Sequence, residues 1–296
     1  MGSRTVAPDP APPEPPRWRL LISCADRAGI VAAVASFLAA RGANITSSAQ
    51  HSTDPGGGRF LMRMEYVLER GDPAALEAAF EREVAEPFSM QWRISASVPH
   101  KRIAILVSRE DHCLYDLLWR WRRGDLGAEI ALVASNHEHA REQTARFGVP
   151  FVHVPVTRAT RAQAERTLLE HLREREVELV VLARYMQILS GELLDRLGCP
   201  VINIHHSFLP AFVGGDPYRQ ALDRGVKIIG ATAHYVTEQL DAGPIIEQDV
   251  ERVDHRHGVQ GLAEVGQDIE RRVLARAVRW HLDDRVLLDG SKTVVF

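Results

Sequence analysis

The sequence predicts an α/β protein with two folded units, a βαββαβ unit followed by a doubly wound, mostly parallel sheet. At 296 residues, the chain exceeds the size at which one hydrophobic core usually stops growing. Its amino-terminal part follows the order strand, helix, strand, strand, helix, strand. From about residue 102 onward, short apolar strands alternate with amphipathic helices, which is typical of a parallel sheet covered on both faces.

The amino-terminal unit is expected at residues 18–98, after a proline-rich tail at residues 1–17 that we expect to be disordered or, alternatively, to bind a partner module. Strands are predicted at WRLLISC, NITSSAQHS, RFLMRMEYVLE and MQWRISASV, and helices at GIVAAVASFLAAR and PAALEAAFEREVAE. The first helix places Ile30, Val34, Phe37 and Leu38 on one face. The turn DPGGG supplies the positive φ angles that a hairpin needs. The resulting unit is ferredoxin-like.

The second unit is expected at residues 99–296, after a short linker around residues 97–101. Its strands are predicted at RIAILVS, EIALVAS, FVHVPV, VELVVLARY and VINIHH, and its helices at 112–126, 138–147, 161–174 and 191–197. Ligands of open α/β sheets bind at the carboxyl ends of the strands. Functional residues are therefore expected in the segments 108–112, 184–189 and 203–206.

The strand VINIHH carries the best candidates for catalysis. Asn203 and His205 lie two residues apart, so in extended geometry both side chains leave the same face. The carboxylate of Asp241 follows in an Asp-Ala-Gly turn. It could hold the imidazole in its charged form, an arrangement that stabilises a developing oxyanion and moves a proton. These residue types favour acyl chemistry on a one-carbon or carbonyl centre.

The motifs around these residues resemble those of a known family. Asn-x-His, Ser-Phe-Leu-Pro, Gly-Ala-Thr-Ala-His and Asp-x-Gly-Pro-Ile-Ile, all within residues 203–246, closely resemble the formyltetrahydrofolate-dependent formyltransferase family. The doubled His205-His206 resembles the hydrolytic branch of that family, the deformylases. Segments 102–137, 182–190 and 272–296 share the likeness, so it covers nearly everything after residue 18.

The resemblance implies hydrolysis of 10-formyltetrahydrofolate to tetrahydrofolate and formate, which supplies formate for purine biosynthesis and balances one-carbon folate pools. It implies a folate substrate and water as the partners and no tightly bound cofactor. Asn203 and protonated His205 would donate to the anionic oxygen, and Asp241 would relay protons. The residues implied to contact substrate are Met186, Ile188, Leu189, His206 and Val236, and His206 would line the acceptor pocket or only fill space.

The loop CADRAGIV and the segment ANI at residues 43–45 resemble an ACT domain, a regulatory module that often binds amino acids between paired copies. The resemblance places an effector near Asp26, Gly29, Ile30 and Asn44. Alternatively, Asp26 only caps the helix, Asn44 only tolerates a turn, and the unit serves dimerisation. The strand edges and open sheet face of such a unit predict a homodimer or homotetramer.

Composition excludes several other classes of function. A net charge of −3 gives no electrostatic footprint for nucleic acid or an anionic membrane. Because no apolar run is long enough to span a bilayer and no signal peptide is evident, we expect a cytoplasmic protein. The three cysteines Cys24, Cys113 and Cys199 lack disulfide or metal-ligand spacing, so they are predicted to be reduced and structural.

Nucleotide and metal cofactors are not expected. The turn SREDHC after the first strand of the second unit has no glycine, and no P-loop motif occurs anywhere in the chain. A zinc site built from His205, His206, His234 and Asp241 has suitable ligand types. The family resemblance nevertheless implies metal-free chemistry.

The turn SREDHC also bears on the choice of acceptor. The related purine-pathway transferases hold a phosphate with a glycine-rich turn at this point, and the bulky charged turn here removes that cradle of N–H groups. Water is therefore the predicted acceptor. Gly214-Gly215-Asp216 departs from the deformylase pattern and favours an alternative, a formyltransferase that acts on a small amine. A third alternative is a non-catalytic amino-acid sensor.

Overall fold

A computed structural model describes residues 17–68, 72–97, 100–210 and 217–296. The chain divides into two compact units, Met1–Pro99 and His100–Phe296. The proposed tail lies outside the described residues except for Arg17, which is already the first residue of a strand. The segment Gly214-Gly215-Asp216, which departs from the deformylase pattern, also lies outside them.

The first unit is a four-stranded antiparallel sheet with the predicted βαββαβ order. Its strands are β1 (Arg17–Ala25), β2 (Asn44–Ser52), β3 (Arg59–Val67) and β4 (Gln91–Ala96), in the spatial order β2-β3-β1-β4. Its helices are α1 (Ile30–Ala40), α2 (Pro73–Phe80) and α3 (Glu86–Phe88), and a π-helical turn at Glu81–Ala85 joins α2 to α3.

The core of this unit follows the predicted periodicity. The residues of α1 that are buried are Ile30, Val34, Phe37 and Leu38, the set expected on one face. Phe37 packs edge-on against Phe80 of α2, with ring centroids 5.2 Å apart. Phe80 in turn packs against Trp92 of β4 at 4.9 Å. Aromatic contacts therefore join both helices to the sheet.

The second unit is built on a seven-stranded sheet. Its strands are β5 (Lys101–Val107), β6 (Ala128–Ser135), β7 (Phe151–His153), β8 (Leu179–Leu182), β9 (Val201–His205), β10 (Ile228–Tyr235) and β11 (Ile245–Arg252). Its helices are α4 (His112–Arg122), α5 (Arg141–Arg146), α6 (Arg161–Glu174), α7 (Gly191–Leu197), α8 (Pro217–Arg224) and α9 (Val259–Leu282). A carboxyl-terminal hairpin consists of β12 (Val286–Asp289) and β13 (Lys292–Val295).

The spatial order of the large sheet is β11-β10-β9-β8-β5-β6-β7. The five strands from β9 to β7 run parallel, whereas β10 is antiparallel to both of its neighbours. The chain starts at β5, builds towards β7 and then returns to β8. The carboxyl ends of β5 and β8 therefore form the switch point at which such sheets bind ligands.

Both faces of this sheet are buried, as the alternation of strands and helices predicted. Along β5, Ile103 and Ile105 pack on the side that contains α9, while Ala104 and Leu106 pack on the side that contains α6. Successive residues of one strand thus enter two separate cores. The comparisons reported below agree with this architecture, and the predicted α/β fold is confirmed.

Some predicted boundaries are wrong in detail. The helix predicted at 112–126 ends at Arg122, because Gly124 and Gly127 adopt the positive φ angles of +80° and +62°. The helix predicted at 138–147 is shorter, and only Leu179–Leu182 of the segment VELVVLARY forms a strand. Among the described residues, we find no helix that is both long and apolar enough to cross a membrane.

Candidate active site

Strand pairing brings together the polar side chains at the carboxyl end of β9. Asn203 and His205 share one face of that strand, as their spacing predicted. In the antiparallel pairing with β10, His234 lies opposite Asn203 and Thr232 lies opposite His205. Directly opposed residues of neighbouring strands have side chains in contact. His234 therefore joins the predicted pair.

Asp241 reaches the same place from the turn after β10. One oxygen of its carboxylate, Oδ2, lies 3.3 Å from Nδ1 of His205, and the other, Oδ1, lies 3.6 Å from Nε2 of His234. The hydrogen bond from His205 is the largest cause that holds the pKa of Asp241 well below its usual value of 3.8. The carboxylate is therefore ionised throughout the neutral pH range.

The backbone of this turn is unusual at two positions. Asp241 has a φ of +55°, which few residues other than glycine adopt and which asparagine and aspartate tolerate best. A Cβ atom on Gly243 would lie only 1.7 Å from the carbonyl oxygen of Tyr235. Only glycine fits there, so the close approach of Gly243 to β10 fixes where Asp241 stands.

Hydrogen bonds settle the protonation of His234. Its Nδ1 lies 2.9 Å from the backbone oxygen of Tyr235, which can only accept, so Nδ1 carries a proton. In the neutral ring Nε2 is then an acceptor, and it receives a hydrogen bond from Nδ2 of Asn203 at 3.2 Å. This contact orients the amide of Asn203 and leaves its second N–H for a ligand.

His205 has one engaged and one unengaged ring nitrogen. Nδ1 is bound to Asp241, whereas Nε2 is buried and has no hydrogen-bond partner among the described residues. Because an unpaired buried polar atom is costly, Nε2 is the atom through which a ligand or a water molecule would complete the site. It is also the nitrogen through which a proton could be exchanged.

A cavity of about 300 Å³ opens over these groups. The residues predicted for catalysis or substrate contact all line it, namely Met186, Ile188, Leu189, Asn203, His205, His206, Val236 and Asp241. Met186 and Ile188 are 58% and 57% exposed, an unusual state for large apolar side chains. One wall of the cavity is therefore apolar and accessible, and the opposite wall is polar.

His206 belongs to the polar wall. Its ring stacks on that of His205, with centroids 5.0 Å apart and an interplanar angle of 22°. Burial first, and then the positive charges of Arg184 and His205, lower the pKa of His206 to about 4. His206 is therefore neutral near pH 7.

The segments after β5 and β8 also meet at this end of the sheet. The hydroxyl of Ser108 donates to Oδ1 of Asn136 at 2.7 Å and accepts from the backbone N–H of Met186 at 3.0 Å. The backbone N–H of Ser108 donates to the carbonyl oxygen of Arg184. Ser108 thus holds the backbone of Arg184 and Met186 in place at the start of the apolar wall.

Sequence reasoning missed a buried charged cluster beside this site. Glu270 of α9 lies 2.9 Å from Nε2 of His112, 2.7 Å from the hydroxyl of Tyr218 and 3.5 Å from Nε of Arg184. Potential ligand atoms of His112, Cys113 and Glu270 lie within 4.8 Å of one another. The guanidinium already supplies the cation next to this carboxylate. Nothing in the local pattern of the sequence signals this cluster.

The four residues predicted to bind an effector do not form one site within a single chain. Asp26, Gly29 and Ile30 lie at one end of the small sheet, where the hydroxyl of Ser52 donates to the carboxylate of Asp26. Asn44 starts β2 at the other end, opposite Val67. Nine-residue strands are about 26 Å long. The alternative in which Asp26 caps α1 is wrong, because Gly29 is the N-cap and no side chain caps the helix.

Each of the two units matches a known protein family. The Formyl transferase family matches residues 101–278, and the ACT domain family matches residues 18–84. The formyltetrahydrofolate deformylase of Bacillus subtilis is 53% identical over 95% of this chain and 94% of its own length. A crystal structure of formyltetrahydrofolate deformylase from Pseudomonas syringae superposes with a TM-score of 0.92 at 48% identity, covering 96% of this chain and 95% of that one.

The match with a solved transferase covers less of the chain. Glycinamide ribonucleotide transformylase 1 from Symbiobacterium toebii superposes with a TM-score of 0.62 at 33% identity. The match covers 67% of this chain and 94% of that one. The likeness to the deformylase therefore covers almost the whole chain, whereas the likeness to this transformylase covers about two thirds of it.

The contact of Gly243 with β10 gives a direct test of the site geometry. We expect Gly243→Ala to push the turn outward, separate Asp241 from His205 in a crystal structure, and lower turnover by about tenfold or more. Gly261→Ala is the matched control, because its Cβ would meet only His257 at 3.7 Å. An unchanged Asp241 position in Gly243→Ala would show that the close approach does not fix the carboxylate.

Proposed function

Because this chain belongs to the formyltetrahydrofolate deformylases, a family of hydrolases, we propose that it hydrolyses 10-formyltetrahydrofolate to tetrahydrofolate and formate through Asn203, His205 and Asp241. Two relatives that match over almost their whole length carry that name. One observation supports these three residues as the catalytic set. All three side chains face one cavity, and the imidazole of His205 is bound to the ionised carboxylate of Asp241.

The apolar wall supports binding of the folate. A pterin is a flat, mostly uncharged ring system, and apolar side chains with a few polar groups are the usual lining of such pockets. Met186 and Ile188 are exposed on this wall, and Leu189 and Val236 lie behind them. The formyl group would then point towards the polar wall at the end of β9.

The polar wall supports attack by water on the formyl carbon. As the oxygen of water bonds to that carbon, the electron pair of the carbonyl moves onto the formyl oxygen. The free N–H of Asn203 and the Nε2–H of protonated His205 donate to this oxyanion. Loss of one such donor typically lowers kcat by about 10²–10³. Asn203 is held in the required orientation by His234.

Asp241 supports the proton transfers. Its carboxylate accepts the Nδ1–H of His205 and stabilises the imidazolium that exists when Nε2 is protonated. The attacking water loses a proton, and the folate nitrogen gains one as its bond to the formyl carbon breaks. Asp241 takes the proton from the water and gives one to the folate nitrogen, while His205 stays protonated at Nε2, which leaves formate and tetrahydrofolate as products.

We also propose that the amino-terminal unit binds an amino-acid effector between two copies of the chain. Asp26 and Asn44 lie at opposite ends of one sheet, so a ligand that touches both needs a second copy arranged head to tail. The amino end of α1 offers free N–H groups that suit a carboxylate. A homodimer or homotetramer is the corresponding assembly.

The catalytic residues are tested by substitution. We expect Asn203→Ala, His205→Ala and Asp241→Asn each to lower kcat about 100-fold or more, with melting temperatures near that of the wild type. Asn tolerates the positive φ of Asp241, so that variant removes charge without changing the backbone. His255→Ala, at an exposed histidine, is the control. Activity of His205→Ala within about tenfold of wild type would remove this mechanism.

The acceptor is tested by incubating the purified protein with 10-formyltetrahydrofolate alone and following formate and tetrahydrofolate. Turnover without any amine supports the hydrolase. Turnover that requires an added amine supports a formyltransferase instead, and the absence of both reactions supports an amino-acid sensor.

Assembly and regulation are tested together. We expect light scattering to show a dimer or tetramer, and one of the twenty amino acids to change activity or melting temperature. Asp26→Ala should abolish that response and leave the basal activity unchanged. A monomer that responds to no amino acid would contradict the proposal for this unit.

A further inference from the structure

Arg184 stands where the polar wall of the cavity meets the buried carboxylate of Glu270. It follows β8, lines the cavity together with His205 and His206, and places Nε 3.5 Å from Oε2 of Glu270. Its charge also contributes to the low pKa of His206. The guanidinium therefore lies between the catalytic histidines and the carboxylate behind them.

The arrangement is energetically unfavourable in itself. Arg184 has a φ of +63°, in the left-handed region, and its side chain is only 12% exposed. Its Nε and Nη1 atoms are buried and make no hydrogen bond within the described part of the chain. The positive φ and the unsatisfied Nη1 donor each cost stability, although Nε is paired with the carboxylate of Glu270. A residue retained at such a cost beside a catalytic centre points to a role in the reaction.

Glu270 has little capacity left for any other cation. It is 1% exposed and accepts hydrogen bonds from His112 and Tyr218 in addition to its ion pair with Arg184. Burial alone would raise the pKa of Glu270, but the hydrogen bond from His112 and the charge of Arg184 outweigh it and lower that pKa. The carboxylate of Glu270 is therefore ionised, and the positive charge of Arg184 already balances its negative charge.

We propose that Arg184 is a specificity determinant that reserves the acceptor position for water, because its guanidinium occupies the place beside Glu270 that a protonated amine would need. This inference rests on the proposed hydrolysis of 10-formyltetrahydrofolate. Primary amines are cations at neutral pH, and a buried cation requires an anionic partner. Asp241 is already bound to His205 and Glu270 to Arg184, and the guanidinium repels a second cation. Water carries no charge and meets no such barrier.

Removal of the guanidinium should therefore admit an amine. In Arg184→Gly, the ammonium group would give a proton to the freed carboxylate of Glu270, and its nitrogen would attack the formyl carbon. The bond from that carbon to the folate nitrogen then breaks. One of the two protons left on the attacking nitrogen passes through Asp241 to the folate nitrogen and the other stays on the product, so tetrahydrofolate and a formamide are formed. Glycine also suits the positive φ at this position.

The experiment measures how formyl groups divide between formate and N-formylglycinamide when glycinamide is added to the full chain with 10-formyltetrahydrofolate. We expect Arg184→Gly to raise the ratio of formamide to formate about tenfold or more over wild type. Arg184→Lys keeps a cation and should leave the ratio near that of wild type. Arg184→Gly/Glu270→Gln opens the same space without the carboxylate, and should also leave the ratio near wild type.

Three outcomes would overturn the inference. They are an unchanged ratio in Arg184→Gly, an equal rise in the double variant, and loss of both products in Arg184→Gly. If Arg184→Gly does not fold, Arg184→Gln, which removes the charge and keeps most of the volume, must show the raised ratio instead. Absence of formate with the wild type would contradict the proposed function, whereas wild-type hydrolysis with an unchanged ratio in the variants contradicts only the role of Arg184.

Discussion

The site depends on one interaction, the contact of an ionised Asp241 with the imidazole of His205. The carboxylate fixes Nδ1 of His205 as the donor nitrogen, so Nε2 alone faces the ligand. The same carboxylate lies near His234, which orients Asn203. Displacing Asp241 would therefore disturb both groups that we propose to face a developing oxyanion. The fold holds Asp241 there through a turn that approaches β10 so closely that only glycine fits at position 243.

The surrounding cavity has two sides with different physical tasks. On the side proposed to bind the folate, exposed Met186 and Ile188 offer apolar surface that a flat ring system can cover. On the acceptor side, His206 is neutral, and the charge of Glu270 is balanced within the protein by Arg184. A substrate with a large apolar end matches the first side. A second reactant that is small and neutral matches the other side. Water fits this description, and a cationic amine does not.

The sequence was sufficient to predict the fold class, because segments with the apolar period of a strand alternate with segments that have the apolar period of a helix. Burial of both faces of the sheet follows from that alternation. It also placed Asn203 and His205 on one face, since their spacing is local. It did not identify His234 as a partner of Asn203, because that contact depends on the register between β9 and β10. The pairing of Arg184 with Glu270 joins residues far apart in sequence, and no local pattern records it. The positive φ of Asp241 was likewise not predictable from its neighbours.

The protonation state of Asp241 tests the account most directly. Carbon-13 NMR of the protein labelled at aspartate carboxyl carbons would follow the Asp241 resonance, assigned with Asp241→Asn, as the pH is lowered. Because the hydrogen bond from His205 holds the pKa of Asp241 well below its usual value of 3.8, the resonance should show no titration at that pH. A titration midpoint at 3.8 or above would contradict an ionised carboxylate bound to the imidazole of His205, and with it the proposed catalytic arrangement.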